Sequence, residues 1–351
     1  MRPLRTCPPH RFPHTPCPIR ADVRRTGPRP DERWRRATVR RAINRAAHGR
    51  THMTTTPLVW LNGATTEEAE ARISPFDRGF LWGDGVYEIT PVFNGRAYRL
   101  ADHLDRLGRS LAYLQIVPDR DKAALLRATE AYLDANAKAG RLGESPMYRL
   151  GHWVTRGPDS VTMTARDAGP ATVMMWLRPA DAGAVARNQR DGVKLVVSTT
   201  RRNAPSSIEP RAKVTSKINQ ILAEMDAAAQ GGLALMLDLD GNIAEQAVAN
   251  FFIVRDGVLW TPPEGNILEG VTRKVVFEIA ARLGIPVEQR LFTLYDVAQA
   301  DEFFITSSAI CAMPVRQVDR FTPKAGIPGP LTRRLIDAFT ADTGLDFARL
   351  N

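Results

Sequence analysis

The chain has 351 residues, of which 44% are hydrophobic, and a formal net charge of +10. This length is more than one hydrophobic core usually contains, and no apolar run reaches the roughly 18 residues of a bilayer-spanning helix. Three cysteines provide neither a disulfide framework nor the spacing of a metal site, and no charged start leads into the apolar stretch of a signal peptide. We therefore expect a globular, cytoplasmic protein of two domains without a metal site.

The positive charge is concentrated at the start of the chain. Residues 1–52 carry 14 Arg and no Lys against three acidic residues, so the rest of the chain is nearly neutral. The segment is rich in proline and lacks a sustained apolar period, which predicts a disordered extension. A strand-like segment at 57–63 follows Met53. The simplest interpretation is that translation starts at Met53; a transit peptide and a nucleic-acid-binding arm are the alternatives.

Residues 53–177 alternate strand and helix patterns, which predicts a small α/β domain. Leucines recur at helical spacing over 104–114, and a second apolar stripe follows over 125–133. An apolar strand is predicted at 171–177. The polar stretch 178–192, which contains Pro and Gly, then indicates an interdomain connection.

Residues 193–351 are predicted to form a second, larger domain. The domain begins with a strand at 193–200, and a helix follows the capping candidates Thr215 and Ser216. One face of this helix is apolar and consists of Ile218, Ile221, Leu222 and Met225.

The remainder of this domain is predicted to contain two hairpins, a helix and a buried strand. Turn signals at Asp240-Gly-Asn242 and Asp256-Gly257 separate apolar runs and predict the hairpins. The helix begins at Thr272, and the strand covers 302–306. No internal repeat, P-loop or dinucleotide fingerprint is present in the sequence.

Two lysines lie around the start of the first helix of the second domain. Lys213 precedes the capping residues, so its side chain can project into a site between the domains, whereas Lys217 lies in the first helical turn. A lysine in such a place is usually a solvated charge. Position alone does not decide between the two as a reactive amine.

Seven motifs along the chain resemble, in order, those of the class IV aminotransferases. They are Arg78-Gly-Phe-Leu-Trp-Gly-Asp-Gly-Val-Tyr-Glu88, His103-Leu-Asp-Arg-Leu107, Arg211-Ala-Lys-Val-Thr-Ser-Lys217, Gly241-Asn-Ile-Ala-Glu245 with Asn250-Phe-Phe-Ile-Val254, Thr261-Pro-Pro263, Leu268-Glu-Gly-Val-Thr-Arg273 and Ala300-Asp-Glu-Phe-Phe-Ile-Thr-Ser-Ser308. The resemblance runs from about Leu58 to the C-terminus. It implies a two-domain α/β (α+β) enzyme of fold type IV that depends on pyridoxal 5′-phosphate (PLP). The N-terminal domain would be small and α/β, and the larger C-terminal domain would have a β-barrel-like core.

The resemblance also assigns roles to single residues. It implies that Lys213 is the Schiff-base lysine of the cofactor. Glu245 would face the pyridine nitrogen, where an ionised carboxylate keeps that nitrogen protonated and lets the ring accept electrons. Arg106 would pair with the cofactor phosphate, because a guanidinium binds two oxygens at once. Outside their motifs, Glu245 would be interpreted as an exposed hairpin acid and Arg106 as a surface charge.

The phosphate of the cofactor is expected at the start of the helix that follows Gly270. Unpaired backbone amides and the helix dipole converge there, which favours an anion near Val271 and Thr272. The resemblance implies that Ser308 and Ala309 complete this cradle.

The substrate depends on side chains between the shared motifs. The stretch 83–95 resembles D-amino-acid aminotransferases and makes Tyr87 a wall of the pocket. The Arg-x-His carboxylate trap that those enzymes carry is absent after Thr155-Arg-Gly157. The strand 147–150 resembles the one on which branched-chain enzymes place a carboxylate-binding arginine, which makes Arg149 a candidate for that role.

The implied function is a ping-pong transfer of an amino group, through Lys213, between a small amino acid and a 2-oxo acid. The amino acid is a D-amino acid or a branched-chain L-amino acid. The same fold also leaves open an aminodeoxychorismate lyase-like activity or an (R)-amine transaminase activity. A homodimer is expected, since active sites of the family lie near a subunit interface, and no membrane partner is expected. Nucleic-acid binding through the Arg-rich segment is the alternative from another class, and it is not favoured.

Overall fold

The computed structural model describes residues 56–350 except 144, 160 and 309. The predicted extension, residues 1–52, lies outside the described residues. In the described part of the chain the strands form two sheets with helices packed against them, which confirms the mixed α/β class. None of the described helices has the length and hydropathy needed to cross a membrane.

The first sheet has six strands and is antiparallel throughout. In spatial order these are β2 (Ala64–Thr66), β1 (Val59–Leu61), β6 (Thr172–Pro179), β5 (Met147–Thr155), β3 (Gly85–Phe93) and β4 (Arg96–Ala97). Strands β3 and β5 pair along their whole length, with Val86 opposite Val154 and Glu88 opposite His152. Because side chains alternate across a strand, these four residues share one face, and all four are buried.

Three helices lie between strands of this sheet along the chain, a short one between β2 and β3 and two long ones between β4 and β5. The three helices are α1 (Arg78–Trp82), α2 (Leu100–Leu114) and α3 (Lys122–Lys138). The predicted stripe on α2 is confirmed, since Leu104, Leu107 and Leu111 are buried in a cluster with residues of the sheet. On α3, Leu125 and Tyr132 belong to the same cluster.

The second sheet has eight strands, six of which close into a barrel. In spatial order the eight are β12 (Val287–Gln289), β11 (Val258–Thr261), β10 (Ala249–Arg255), β13 (Glu302–Ser307), β14 (Ile310–Val318), β7 (Val193–Val197), β8 (Leu233–Leu237) and β9 (Ile243–Gln246). Strand β9 also pairs with β10, and this pairing closes the barrel. Both predicted hairpins, β8–β9 and β10–β11, are confirmed as antiparallel pairs. The expected β-barrel-like core is therefore confirmed.

Alternation along β10 divides its apolar side chains between two cores. Phe251 and Ile253 pack in a cluster with residues of the other barrel strands. Phe252 and Val254 pack instead with residues of the surrounding helices. A strand that is apolar on both faces is typical of a sheet covered on both sides.

Five helices belong to this part of the chain. They are α4 (Ala182–Asp191), α5 (Ile218–Ala229), α6 (Val271–Arg282), α7 (Leu294–Val297) and α8 (Pro330–Thr343). Helix α6 begins one residue before the predicted Thr272, and its stripe of Val275, Val276 and Ile279 is buried. The predicted connection at 178–192 is not irregular, because α4 occupies most of it.

The apolar face of α5 is not part of the core. Its four large apolar side chains, Ile218, Ile221, Leu222 and Met225, are 62%, 50%, 49% and 66% exposed. The helix packs instead through Ala223 and Ala227, which cluster with Val196 and Met236 of β7 and β8. Small side chains let the helix lie close to the sheet, and the larger ones are left on the outer face.

Candidate active site

One cavity brings together most of the residues that the sequence analysis singled out. Its lining comes from β3, α2, the segment before α5, β9, β10, the start of α6 and the end of β13. The predicted site residues in this lining are Tyr87, Arg106, Lys213, Glu245, Val271, Thr272 and Ser308. Ala309 lies outside the described residues.

The backbone of Lys213 is held against the first strands and helices of the chain. Its carbonyl oxygen accepts a hydrogen bond from the Tyr87 amide at 3.0 Å, and its own amide donates to Ser110 Oγ at 3.0 Å. The next residue, Val214, forms an antiparallel bridge with Val86. The segment therefore continues the sheet beside the start of β3, which fixes the position of the lysine.

The Lys213 ammonium lies over the Tyr87 ring, with Nζ 4.4 Å from the ring centroid. Burial, together with the neighbouring Arg106 guanidinium, lowers the pKa of Lys213 to about 8. A lysine with this pKa is partly neutral near physiological pH, and the neutral amine is the form that acts as a nucleophile or a base.

Lys217 also reaches the cavity. It is the N-cap residue of α5, and its Nζ lies 5.5 Å from the same Tyr87 ring centroid. Burial lowers the pKa of Lys217 to about 8, and the charge of Lys213 contributes to the shift. Both lysines that the sequence left open are therefore in the site.

Glu245, on β9, is buried and has three hydrogen-bond donors. Oε1 accepts from Arg202 Nε at 2.9 Å, while Oε2 accepts from Asn250 Nδ2 at 3.2 Å and from the Leu268 amide at 3.1 Å. Arg202 is buried as well, so the two charges form an ion pair inside the protein. These contacts fix the carboxylate in the wall of the cavity. The alternative interpretation of Glu245 as an exposed hairpin acid is wrong.

Arg106, on α2, is buried beside a carboxylate that the sequence analysis did not assign to the site. Glu88 accepts from Arg106 Nε at 2.6 Å and from Nη2 at 2.8 Å, and the Glu269 carbonyl accepts from Nη1 at 2.7 Å. Burial alone would raise the pKa of Glu88, but the Arg106 guanidinium and a hydrogen bond from His103 lower it. The surface-charge interpretation of Arg106 is wrong.

A sequence signal for Glu88 existed. Glu88 lies two residues from Val86 and two from Thr90, so it shares their face of β3. A carboxylate on a buried face requires a charged partner. The His103-Leu-Asp-Arg106 motif, with its His and Arg one helical turn apart, supplies that partner.

The start of α6 and the end of β13 form another part of the cavity wall. Gly270 is its N-cap residue and provides no side-chain cap for the first amides of the helix. The Thr272 hydroxyl donates to the Ser307 carbonyl at 3.0 Å, and the buried Thr306 hydroxyl has no hydrogen-bond partner among the described atoms. A Cβ on Gly270 would come within 2.0 Å of Asn250 Oδ1, so only glycine allows this close approach.

Of the two predicted substrate contacts, one lies at the cavity and the other does not. Tyr87 lines the cavity, and its ring lies 4.6 Å from that of Trp153 on β5. Arg149 is exposed on the same strand, opposite Pro91 of β3. It is four residues from Trp153, a separation of roughly 13 Å along a strand. The structure therefore does not bring Arg149 into the cavity lining.

No cluster of three or more His, Cys, Asp or Glu residues suited to a metal ion occurs in the described part of the chain. The cavity instead combines two lysines of lowered pKa, a buried carboxylate and an uncapped helix start. This arrangement suits a site for an anionic group next to a reactive amine.

Comparison with known proteins gives consistent findings. The family profile described as amino-transferase class IV matches residues 85–318. A putative branched-chain-amino-acid aminotransferase of Methanocaldococcus jannaschii is 32% identical over 283 residues, which cover 80% of this chain and 94% of the relative. A D-alanine aminotransferase of Listeria innocua is 31% identical over 286 residues, which cover 81% of this chain and 95% of the relative.

Two solved structures that resemble this chain are also aminotransferases. The T.th. branched-chain amino acid aminotransferase complexed with N-(5′-phosphopyridoxyl)-L-glutamate matches with a TM-score of 0.75 and 29% identity, over 83% of this chain and 95% of that one. A branched-chain aminotransferase of Thermoproteus uzoniensis with norvaline matches with a TM-score of 0.72 and 30% identity, over 80% of this chain and 93% of that one.

Proposed function

The chain belongs to the class IV aminotransferase family, and on that premise we propose that it is a PLP-dependent transaminase that acts through Lys213. The reaction moves an amino group between a small amino acid and a 2-oxo acid in two half-reactions, with a ping-pong order. The observation that supports this proposal most is the cavity that joins Lys213 to Glu245, Arg106 and the start of α6.

The donors and acceptors in the cavity fit the cofactor. A carboxylate has about four lone-pair sites, and the three donors on Glu245 leave one for a protonated ring nitrogen. Arg106 uses three of its five N–H donors, which leaves two for phosphate oxygens. The uncapped amides of Val271 and Thr272 supply further donors. When bound, PLP supplies an aldehyde for a lysine amine and a ring that accepts electrons from the substrate Cα.

Lys213 has two roles in this proposal. Its partly neutral amine would hold the cofactor. When it is not engaged in that way, the same amine would accept and return the proton at the substrate Cα. Glu245 keeps the ring nitrogen protonated, and Arg202 fixes the orientation of that carboxylate. Tyr87 lies beside the lysine and limits the space on that side.

The amino donor is a D-amino acid or a branched-chain L-amino acid in this proposal, since relatives of both names match the chain. An (R)-amine transaminase and an aminodeoxychorismate lyase-like enzyme are the alternatives on the same fold. A screen with D-alanine, L-leucine, (R)-phenylethylamine and aminodeoxychorismate, with keto-acid, ketone or pyruvate release as the readout, distinguishes them. Release of no product from any of the four would contradict the proposal.

We also propose that residues 53–177 and 193–351 are the two domains of a cytoplasmic enzyme. The first of these ranges contains the strands of the six-stranded sheet apart from the last two residues of β6, and the second contains the strands of the barrel sheet. The cavity takes residues from both ranges.

Replacement of Arg106 by alanine is expected to weaken PLP binding at least tenfold and to affect turnover much less at saturating PLP. The guanidinium would bind the phosphate, which is remote from the reacting carbon. The variant also leaves Glu88 buried without its cation, so its melting temperature should fall. Equilibrium titration with PLP and a thermal melt measure the two effects.

Arg109→Ala is the matched control for this prediction. Arg109 lies three residues along the same helix, and its side chain is 61% exposed in an ion pair with Glu269. Exposed pairs contribute little to stability, so affinity and melting temperature should stay near the wild-type values. An Arg106→Ala protein with unchanged PLP affinity would remove Arg106 from the phosphate site.

A homodimer is expected, with the outer face of α5 in the interface. Four apolar side chains that recur at helical spacing are exposed on that face, and such patches mark contact surfaces. Light scattering of the full chain should give the mass of a dimer. A double variant, Ile221→Glu with Met225→Glu, should shift the protein towards monomer, whereas Val117→Glu, at an 86% exposed position outside α5, should not. A fully active wild-type monomer would refute the expectation.

A further inference from the structure

The cationic side chains that line the cavity are not equivalent. They are Arg106, Arg202, Lys213 and Lys217. Each guanidinium is paired with a buried carboxylate, Arg106 with Glu88 and Arg202 with Glu245. Lys213 is engaged by the cofactor in the proposed function. Lys217 is the remaining cation.

Lys217 has no carboxylate partner among the described residues. Its ammonium instead lies near the Tyr87 ring, at 5.5 Å from Nζ to the centroid. A partly buried ammonium without a counter-charge is costly. An anionic ligand that enters the cavity would supply that charge, and every amino acid and 2-oxo acid carries a carboxylate.

The location of Lys217 also suits a substrate carboxylate. The ammoniums of Lys213 and Lys217 lie over the same Tyr87 ring, at 4.4 Å and 5.5 Å from its centroid. In an amino acid the carboxylate is bonded to the same carbon that carries the amine. A substrate whose amine reaches the position of Lys213 therefore has its carboxylate within a few ångströms of that position.

We propose that Lys217 binds the carboxylate of the amino-acid and oxo-acid substrates and so favours them over amines that lack a carboxylate. This inference rests on the proposed transaminase function. It gives Lys217 the role for which the sequence suggested Arg149, a residue that the structure leaves exposed and outside the cavity lining. Lys217 is then a specificity-determining residue.

The proposal predicts the direction in which ligand affinity changes with pH. The groups that face Lys217 are Tyr87 from β3, Lys213 and Arg202 from the segments before α5, and Glu245 from β9. Burial lowers the pKa of Lys217 to about 8. Only the protonated amine attracts a carboxylate, so affinity for the ligand should be highest below pH 8 and should fall as the pH rises through that value.

The test uses PLP-loaded full-length protein, two carboxylic acids without an amine, and their neutral analogues. The acids are propionate and 4-methylvalerate, and the analogues are 1-propanol and 4-methyl-1-pentanol. Calorimetric titration at pH 7 should show that the wild type binds at least one acid ten times more tightly than its alcohol. Lys217→Gln should lose most of this preference, and Lys217→Arg should retain it. Lys122→Gln, a change of an exposed lysine on α3, is the control and should behave as wild type.

Steady-state kinetics give a second readout. Lys217→Gln should raise KM for the preferred amino acid at least tenfold, with a smaller change in kcat, and should leave KM for (R)-phenylethylamine nearly unchanged. Equal acid affinity in Lys217→Gln and the wild type would overturn the inference but not the transaminase function. A wild type that holds PLP but binds neither acid would also overturn it. A wild type that holds no PLP would contradict the proposed function itself.

Discussion

Replacement of Lys213 by alanine is expected to remove the covalent link to PLP and to reduce transamination by several orders of magnitude. The same amine would hold the cofactor and carry the proton, so binding energy from the rest of the site cannot replace it. The fold should survive, because Lys213 makes its hydrogen bonds with Tyr87 and Ser110 through its own backbone atoms, which alanine retains. Absorbance of the bound cofactor, a thermal melt and turnover with the best donor measure the three effects.

Lys217→Ala is the matched comparison, because it shows whether the effect belongs to Lys213 or to the loss of either lysine. Lys217 has a similar pKa and contacts the same aromatic ring, so the two variants remove nearly equivalent charges from one cavity. Lys217→Ala should keep the covalent cofactor and lose affinity for amino acids. An active Lys213→Ala protein that retains the covalent cofactor would show that the reactive lysine is a different one.

Replacement of Glu245 by glutamine is expected to leave PLP bound and to lower turnover by about a hundredfold or more, on the scale of lost proton-transfer contributions. A neutral amide does not hold the proton on the ring nitrogen, so the ring becomes a weaker electron acceptor. The substitution would also disturb the hydrogen bonds of the side chain. The amide NH2 of glutamine would face the donors of Arg202, Asn250 or Leu268, which now converge on the carboxylate.

Cofactor content and single-turnover rates at saturating donor separate binding from chemistry in this variant. Glu278→Gln is a suitable control, because Glu278 is on α6 and its partly exposed side chain pairs with Arg99. It should retain wild-type rates. Wild-type turnover in Glu245→Gln would remove Glu245 from the proton-holding role.

Local sequence patterns predicted much of the secondary structure well. The turns at 240–242 and 256–257 lie between apolar runs, and both became hairpins of the barrel sheet. The stripe on α6 became buried as expected, because it matches the helical period and lies against a covered sheet. Such elements are determined by residues close in sequence, so a single sequence contains the information.

Contacts between distant segments were not predictable in the same way. The apolar face of α5 fits a buried helix by period alone, yet Ala223 and Ala227 make the contact with the sheet. Periodicity shows that a face is apolar, but it does not show what covers that face. Two buried ion pairs join distant residues: Arg106 and Glu88 are 18 positions apart, and Arg202 and Glu245 are 43 positions apart. The buried face of β3 indicates that Glu88 needs a charged partner, but no local rule identifies the partner of Glu245.

The motifs predicted residues that lie together in space, and their roles in binding and catalysis stay predictions. Arg106, Lys213 and Glu245 come from three separate motifs and meet in one cavity. Arg149 was predicted to bind a carboxylate only because its strand resembles one in branched-chain enzymes. The register of β5 with β3 places it beyond the cavity. Lys217 is only four residues from Lys213, and the sequence could not show that both ammoniums face Tyr87.

The most direct test of the central claim is to identify the lysine that holds the cofactor. PLP-loaded wild-type protein would be reduced with borohydride and digested, and the peptide that carries the pyridoxyl group would be sequenced by mass spectrometry. We expect the label on Lys213, within the peptide that joins β7 to α5. A label on Lys217, or on a lysine outside the cavity, would contradict the account.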